Sequence, residues 1–202
     1  MGAEYDFFLK SDAAWMCHFD DDNYVNVPQL RLLLAAFNPA EALYLGRPST
    51  REPIQIVDRA NAPRKVSFWF ATGGAGFCLS RALAEQMRPL AADGRLAEVG
   101  QRIRLPDDVT LGYIIHHLLG VELKVVDQFH SHLESMASIA PATLKHQVSL
   151  SAGSYSGAGN VVAVDELWPA SEDVNRFRSL HCFLFPSHSS CPSTLARALP
   201  SS

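Results

Sequence analysis

Residues 13–22 read Ala-Ala-Trp-Met-Cys-His-Phe-Asp-Asp-Asp, an apolar and aromatic run that passes directly into three consecutive aspartates. A short run of this kind is typical of a buried β-strand, which we predict over Ala13–Phe19. Three neighbouring carboxylates repel one another, and a divalent cation would relieve that repulsion. The triplet and the following Asn23 are also good turn residues. Taken alone, the stretch leaves a plain turn and a metal site both open.

Strand, loop and helix patterns alternate along the chain after this stretch. Val66–Ala71 is a second strand candidate, and it is followed by Gly73-Gly74-Ala75-Gly76 and a predicted helix over Leu79–Met87. Asp107 and Asp108 open another predicted helix, which ends near Leu119 because Gly120 follows. This alternation predicts an α/β architecture.

The composition is that of a globular protein. A chain of 202 residues with 48% hydrophobic residues can bury a substantial core, and we predict one domain over residues 1–202. Within it, residues 151–159 are expected to form a small-residue loop, and the Ser/Pro-rich residues 187–202 a frayed tail. The formal net charge is −4 and no basic cluster appears, so nucleic acid is not an expected partner. No stretch approaches the roughly 20 apolar residues that span a bilayer.

Four cysteines, at positions 17, 78, 182 and 191, form an even set without a Cys-x-x-Cys pair. This spacing argues against a zinc ribbon or a redox motif. Two disulfides in an oxidising compartment and four buried thiols in a reducing one both fit the count. The cysteines alone therefore do not decide the compartment.

The glycine-rich segment 73–76 could let a backbone approach a phosphate or a sugar ring closely. It lacks the third glycine of a dinucleotide fingerprint and the Lys-Ser/Thr of a P-loop, so neither nucleotide fold is favoured. The plain alternative is a strand-to-helix turn that requires a positive φ.

Two further pairs of residues could take part in catalysis or in ligand binding. Asp107 and Asp108 follow Pro106 at the start of a helix, where capping explains one acid but not both. His130 and His132 alternate within a predicted strand, Phe129–Leu133, so both imidazoles would share one face and could meet a metal or a phosphate there. A structural role for the histidines remains the plain alternative.

Taken together, these segments resemble the Fringe glycosyltransferases in order and in spacing. The matching motifs are residues 15–26 (WMCHFDDDNYVN), 68–78 (FWFATGGAGFC), 104–108 (RLPDD), 129–134 (FHSHLE) and 176–182 (RFRSLHC). The resemblance extends from Glu4 to Pro192, nearly the whole chain.

The resemblance implies an α/β fold of the GT-A type, a mixed sheet flanked by helices, partial at its amino end. It also implies an inverting, Mn²⁺-dependent transfer of N-acetylglucosamine from UDP-GlcNAc in β-1,3 linkage. The implied acceptor is O-linked fucose on EGF-like repeats of Notch-type receptors. By the same resemblance, Asp22 and His132 would bind Mn²⁺, Asp21 would contact the donor, and Asp108 would be the catalytic base.

The family also implies the disulfides Cys17–Cys78 and Cys182–Cys191, and hence a secretory-pathway protein of the Golgi. Its membrane association would come from an anchor that is absent from this chain. Family members carry well over a hundred residues before the matching region, so we expect a truncated chain. They also usually have a cysteine where this chain has Val109. A related β-1,3-galactosyl- or glucosyltransferase, or a non-catalytic remnant, are the alternatives.

Overall fold

The computed structural model describes residues 1–57 and 64–192. The helices are α1 (Gly2–Leu9), α2 (Val27–Ala35), α3 (Arg81–Ala91), α4 (Arg95–Ile103), α5 (Asp107–Gly112) and α6 (Phe177–Leu184). The strands are β1 (Trp15–His18), β2 (Asn23–Val25), β3 (Tyr44–Gly46), β4 (Ile54–Val57), β5 (Lys65–Phe68), β6 (Phe77–Ser80), β7 (Leu123–Val125), β8 (Ser149–Ser151), β9 (Ser154–Tyr155) and β10 (Ala158–Gly159). Helix α5 continues as a π-helical segment, Tyr113–Leu118.

A four-stranded sheet with the order β1-β6-β3-β7 forms the centre of the molecule. Strand β6 pairs antiparallel with both β1 and β3, whereas β3 and β7 run parallel. In this register, Cys78 of β6 lies between Cys17 of β1 and Leu45 of β3. The predicted mixed α/β architecture is therefore confirmed.

The two faces of this sheet bury different side chains because neighbouring residues of a strand point to opposite faces. Tyr44, Phe77 and Leu79 face the larger core, which α1, α3, α4 and α5 cover. Leu45 and Cys78 face a smaller core, against which the apolar side of α2 packs. The central strands thus lie between the helices of the larger core on one face and α2 on the other.

A third apolar cluster lies outside the main sheet, around Met136, Leu144, Leu150, Val162 and Leu180. Helix α6 packs here, together with Tyr24 of β2 and Leu150 of β8. Strand β2 pairs with β8, and the two-residue strands β9 and β10 form a hairpin. This part of the molecule consists mainly of turns.

Several of the predicted helices and strands are present in the structure, and others are not. The strand predicted over Ala13–Phe19 is β1, and the helix predicted from Asp107 is α5 with its continuation. The segment before Arg81 is a strand rather than the start of a helix, since it pairs on both edges with β1 and β3. Helix α3 begins only after Ser80, whose hydroxyl accepts the Leu83 N–H at 3.2 Å.

The strand predicted over Phe129–Leu133 is wrong, because these residues are irregular and then turn, and they pair with no strand in the described part of the chain. The predicted small-residue loop at 151–159 also contains the β9–β10 hairpin. The predicted frayed tail lies outside the described residues from position 193 onward. Within the described ranges, no helix is long and apolar enough to cross a membrane.

Candidate active site

The glycine-rich turn between β5 and β6 is the centre of the candidate site. Residues Gly73–Ala75 form one turn of 3₁₀-helix and are fully buried. The approach to the turn is fixed by Tyr44, whose hydroxyl accepts the Ala71 N–H at 2.8 Å, and by the Arg47 carbonyl, which accepts the Thr72 N–H at 3.0 Å. The turn is therefore anchored to β3 and to the residue that follows it.

Asp108 lies against one side of this turn. Its Oδ2 accepts the Gly73 N–H at 3.1 Å, and its Oδ1 accepts the Val109 N–H at 2.8 Å. A carboxylate of Asp20 is also close, since a Cβ on Gly73 would lie 3.9 Å from Asp20 Oδ2. Asp107 is exposed, and its Oδ1 accepts the Asp108 N–H at 3.1 Å. Of the two acids, Asp108 is thus the one turned toward the glycines.

The Tyr44 phenol beneath the turn is buried. Burial raises the pKa of this phenol well above its ordinary range, the hydrogen bond from Ala71 lowers it somewhat, and the nearby Asp108 carboxylate raises it again. The un-ionised phenol adds no negative charge next to Asp108.

The aspartate triplet follows β1 and brings Asp22 to the other end of the turn. Asn23 joins the two, because its Nδ2 donates to Asp22 Oδ1 and to the Gly74 carbonyl, each at 3.3 Å. The Asp22 carbonyl accepts the Ala152 N–H at 2.8 Å, next to β8. Asp21 is exposed, with its side chain at the surface.

His132 completes the arrangement from the turn-rich part of the chain. Its Nδ1 lies 3.8 Å from Asp22 Oδ2, too far for a hydrogen bond. That Nδ1 atom is shielded from solvent, although the side chain is 41% exposed, and it has no hydrogen-bond partner among the described residues. It packs on Gly74, where an added Cβ would come within 3.1 Å of His132 Cε1. The structure therefore brings Asp22, Asp108 and His132 around two adjacent glycines.

These donors fit a divalent cation. A buried imidazole nitrogen without a hydrogen-bond partner, facing a carboxylate oxygen at 3.8 Å, is a pair of atoms that one ion can share. Within the described ranges, no cluster of three or more His, Cys, Asp or Glu side chains could hold a metal. Two protein ligands would leave positions open for phosphate oxygens, as a nucleotide-dependent metal site requires.

His130 has a separate role, and the expectation that both imidazoles share one face is wrong. Its ring is nearly buried, and it contacts Gln147 Oε1 at 2.8 Å, Arg47 at 3.3 Å and Glu134 at 3.3 Å. Its backbone N–H donates to the Ser149 hydroxyl, which in turn donates to the Ala75 carbonyl. His130 therefore ties the His132 segment to the glycine turn.

Glu134 is the acid of this network. Burial raises the pKa of its carboxyl, but the hydrogen bond from His130 and the charges of His130 and Arg47 more than offset this, so the pKa lies below its ordinary value. Arg47 reaches Glu134 at 3.2 Å. Sequence reasoning did not single out Tyr44, Arg47 or Ser149, because each acts through a contact with residues far away in sequence.

Two disulfides, Cys17–Cys78 and Cys182–Cys191, use all four cysteines. They are the pairs that the family resemblance implied. The first joins β1 to β6, and so links the strand that leads to the aspartates with the strand that follows the glycine turn. Stable disulfides are typical of proteins in oxidising compartments.

Comparison with known proteins identifies the class. The Fringe-like family model matches residues 1–188, and the chain belongs to the Fringe family. It is 53% identical over 195 residues to the Fringe glycosyltransferase of Drosophila melanogaster, covering 95% of this chain and 47% of the relative.

Vertebrate proteins match over the same region. The chain is 47% identical over 196 residues to the β-1,3-N-acetylglucosaminyltransferase lunatic fringe of Homo sapiens, covering 96% of this chain and 52% of the relative. It is 47% identical over 195 residues to the radical fringe enzyme of Gallus gallus, covering 95% and 52%. The chain spans about half the length of the curated relatives that it matches.

Proposed function

We propose that this protein is an inverting glycosyltransferase. It transfers N-acetylglucosamine from UDP-GlcNAc in β-1,3 linkage to O-linked fucose on EGF-like repeats of Notch-type receptors. Membership of the Fringe family supports this proposal, since relatives at 45–48% identity are named β-1,3-N-acetylglucosaminyltransferases.

One observation carries the proposal for this chain in particular. Asp108 lies on one side of the glycine turn, and Asp22 with His132 lies on the other, so a base and a cation site flank the same buried backbone. An inverting transfer needs both, because one group must accept a proton while another neutralises the leaving diphosphate. An arrangement built only for capping or turn formation has no need to bring the three side chains together.

The chemical step follows from the placement of Asp108. The fucose hydroxyl oxygen attacks the anomeric carbon of N-acetylglucosamine, and the bond from that carbon to the diphosphate oxygen breaks. The hydroxyl proton passes to the Asp108 carboxylate, and UDP departs with the bonding electron pair. The hydrogen bonds from Gly73 and Val109 fix the carboxylate in one orientation while leaving further lone pairs available.

The proposed cofactor is Mn²⁺, held by Asp22 and His132. When bound, it would neutralise the charge that develops on the leaving diphosphate. Asn23 orients Asp22 through a hydrogen bond, and Gly74 leaves the space in which the His132 ring lies. The family resemblance supports Asp21, which is exposed beside Asp22, as the proposed contact to the nucleotide sugar.

We infer further that the mixed sheet belongs to the GT-A class of nucleotide-sugar transferases. The alternation of strands and helices and the aspartates at the end of β1 support this. The disulfides and the family support a lumenal location in the secretory pathway, which we propose to be the Golgi.

A donor panel tests this function. Transfer to an O-fucosylated EGF-like repeat is measured by mass spectrometry with UDP-GlcNAc, UDP-galactose and UDP-glucose, each with Mn²⁺ or with EDTA. The proposal requires a gain of one N-acetylhexosamine, dependent on Mn²⁺, with UDP-GlcNAc. Preference for UDP-galactose or UDP-glucose would reassign the donor, and no transfer together with no nucleotide binding would make the chain a non-catalytic relative.

A further inference from the structure

Asn160 is a buried asparagine whose side chain holds the turn that carries His132. It is 4% exposed. Its Nδ2 donates to the His132 carbonyl at 3.3 Å and to the Glu134 carbonyl at 2.7 Å, and its Oδ1 accepts the Met136 N–H at 2.8 Å. One side chain therefore satisfies three backbone groups within five consecutive residues.

The same asparagine closes the hairpin that contains β9 and β10. Its N–H donates to the Gly153 carbonyl at 2.9 Å, so both ends of the hairpin meet at His132. Gly153 has a φ of +143°, and a Cβ there would lie 3.2 Å from His132 Cβ. The hairpin therefore contacts His132 at two points. Asn160 hydrogen-bonds the His132 carbonyl, and Gly153 packs against the His132 side chain.

These contacts matter because the His132 segment has no regular structure to hold it. It pairs with no strand, and its described backbone hydrogen bonds near His132 are local, such as the Glu134 N–H to the Ser131 carbonyl at 3.3 Å. Loss of the Asn160 amide would leave two carbonyls without a donor and would release the backbone from which the imidazole projects.

We propose that Asn160 is a positioning residue for the metal ligand His132, with Gly153 as its steric counterpart. This inference rests on the proposed function, in which His132 binds the cation. Partners that orient a metal ligand typically contribute 10–100-fold to metal affinity without touching the ion. We therefore expect Asn160 to set the affinity for Mn²⁺ more than it sets the stability of the fold.

The test compares two buried asparagines. Asn160→Asp keeps the acceptor for Met136 but replaces the donor to two carbonyls with a negative oxygen. Asn26→Asp is the matched control, since Asn26 is also 4% exposed, and its Nδ2 donates to the Lys145 carbonyl while its Oδ1 accepts from the Gln29 N–H. Binding is measured by titrating the protein with Mn²⁺ and recording the free-ion electron paramagnetic resonance signal, and stability by metal-free thermal unfolding.

The expected result is a Mn²⁺ dissociation constant raised about ten-fold or more in Asn160→Asp. The control should shift it less than about two-fold at a similar loss of thermal stability. Equal shifts in the two variants, or wild-type affinity in Asn160→Asp, would overturn the inference while leaving the proposed function intact. A wild-type protein that binds no Mn²⁺ would overturn the proposed metal site and the inference together.

If Asn160→Asp does not fold, a second pair of variants tests the inference. Gly153→Ala places a methyl group against His132, whereas Gly157→Ala also puts alanine at a positive φ but with no described atom within 4 Å of its Cβ. The inference requires weaker Mn²⁺ binding in Gly153→Ala than in Gly157→Ala. Equal binding in this pair would contradict it.

Discussion

The candidate site has two sides that are built in different ways. The sheet side, formed by the aspartate triplet, the glycine turn and Asp108, rests on paired strands, on α5 and on a disulfide. The turn-rich side, residues 127–160, carries His132 and includes β8, which pairs with β2. The segment around His132 belongs to no described strand, and side chains of Arg47, Glu134 and Asn160 hold it. Backbone pairing is repeated along a strand, whereas each of these side-chain contacts occurs once. Loss of one of them should therefore have a local effect and should first weaken the proposed metal binding.

The largest expected effect comes from substituting Asp108, the proposed catalytic base. Asp108→Asn keeps the shape of the side chain and its Oδ1, but it cannot accept a proton. We expect kcat to fall by about two to four orders of magnitude, with donor affinity near that of the wild type, because general-base catalysis contributes on this scale. Steady-state kinetics with an O-fucosylated repeat measure it.

Asp107→Asn is the control for this substitution, since Asp107 is exposed and hydrogen-bonds only the Asp108 N–H among its described contacts. It should lose far less activity. An inactive Asp107→Asn with an active Asp108→Asn would place the base one residue earlier, and two active variants would remove the proposed mechanism.

The next prediction concerns Asp22, the proposed metal ligand on the sheet side. Asp22→Ala should abolish Mn²⁺-dependent binding of UDP-GlcNAc, because it removes the carboxylate that faces His132 Nδ1 at 3.8 Å. Isothermal titration calorimetry with and without Mn²⁺ is the measurement. Asp21→Ala should instead weaken donor binding while Mn²⁺ still binds, and an unchanged metal requirement in Asp22→Ala would contradict the assignment.

The two disulfides differ in the length of chain that they close, and only Cys17–Cys78 belongs to the sheet side of the site. Cys17–Cys78 closes a separation of 61 residues, and Cys182–Cys191 closes one of 9. In the chain-entropy treatment, their loss costs about 4 and about 2.5 kcal/mol, respectively. Denaturant unfolding of the paired Cys→Ala variants should therefore show the larger loss for the sheet-side bond. A larger loss for Cys182–Cys191 would mean that native-state contacts outweigh loop length.

The smallest expected effect is on the pH dependence of stability. Because the folded pKa of Glu134 is lowered from its ordinary value of 4.5, its contribution to stability is present above that value and is lost as the pH falls below it. Glu134→Gln should lower the free energy of unfolding by at most about 1 kcal/mol at neutral pH, since the ion pair with Arg47 is partly exposed.

The difference between Glu134→Gln and the wild type should vanish at acidic pH, as urea unfolding across pH 3–7 would show. Glu172→Gln, at an exposed site 3.8 Å from Arg178, is the control and should show a smaller dependence. A pH-independent difference for Glu134→Gln would rule out the ion pair as its cause.

The sequence predicts the sheet side well for a physical reason. Strand β1, the glycine turn and the start of α5 carry local signals, namely an apolar run, small residues and acids after a proline. The resemblance to a family then assigns Asp22 and Asp108 their roles, and the structure places both beside the glycines. Those roles themselves stay predictions until the variants are measured.

The turn-rich side could not be predicted in the same way. His130 and His132 alternate as strand residues do, but Gln147, Ser149 and Asn160 bend their segment through contacts 17 to 28 residues apart. The strands β9 and β10 have two residues each, too few to show any periodicity. Side-chain contacts over such separations leave no periodic trace in a single sequence.

The two glycines of the turn leave different amounts of space for an added methyl group. A methyl group on Gly73 would meet its nearest neighbour, Asp108 Cβ, at 3.7 Å, an ordinary contact, whereas on Gly74 it would come within 3.1 Å of His132 Cε1. Alanine would therefore fit at Gly73 without displacing a neighbour, whereas at Gly74 the His132 ring would have to shift by a few tenths of an ångström. Among natural sequences, we expect alanine at the position of Gly73 more often than at the position of Gly74.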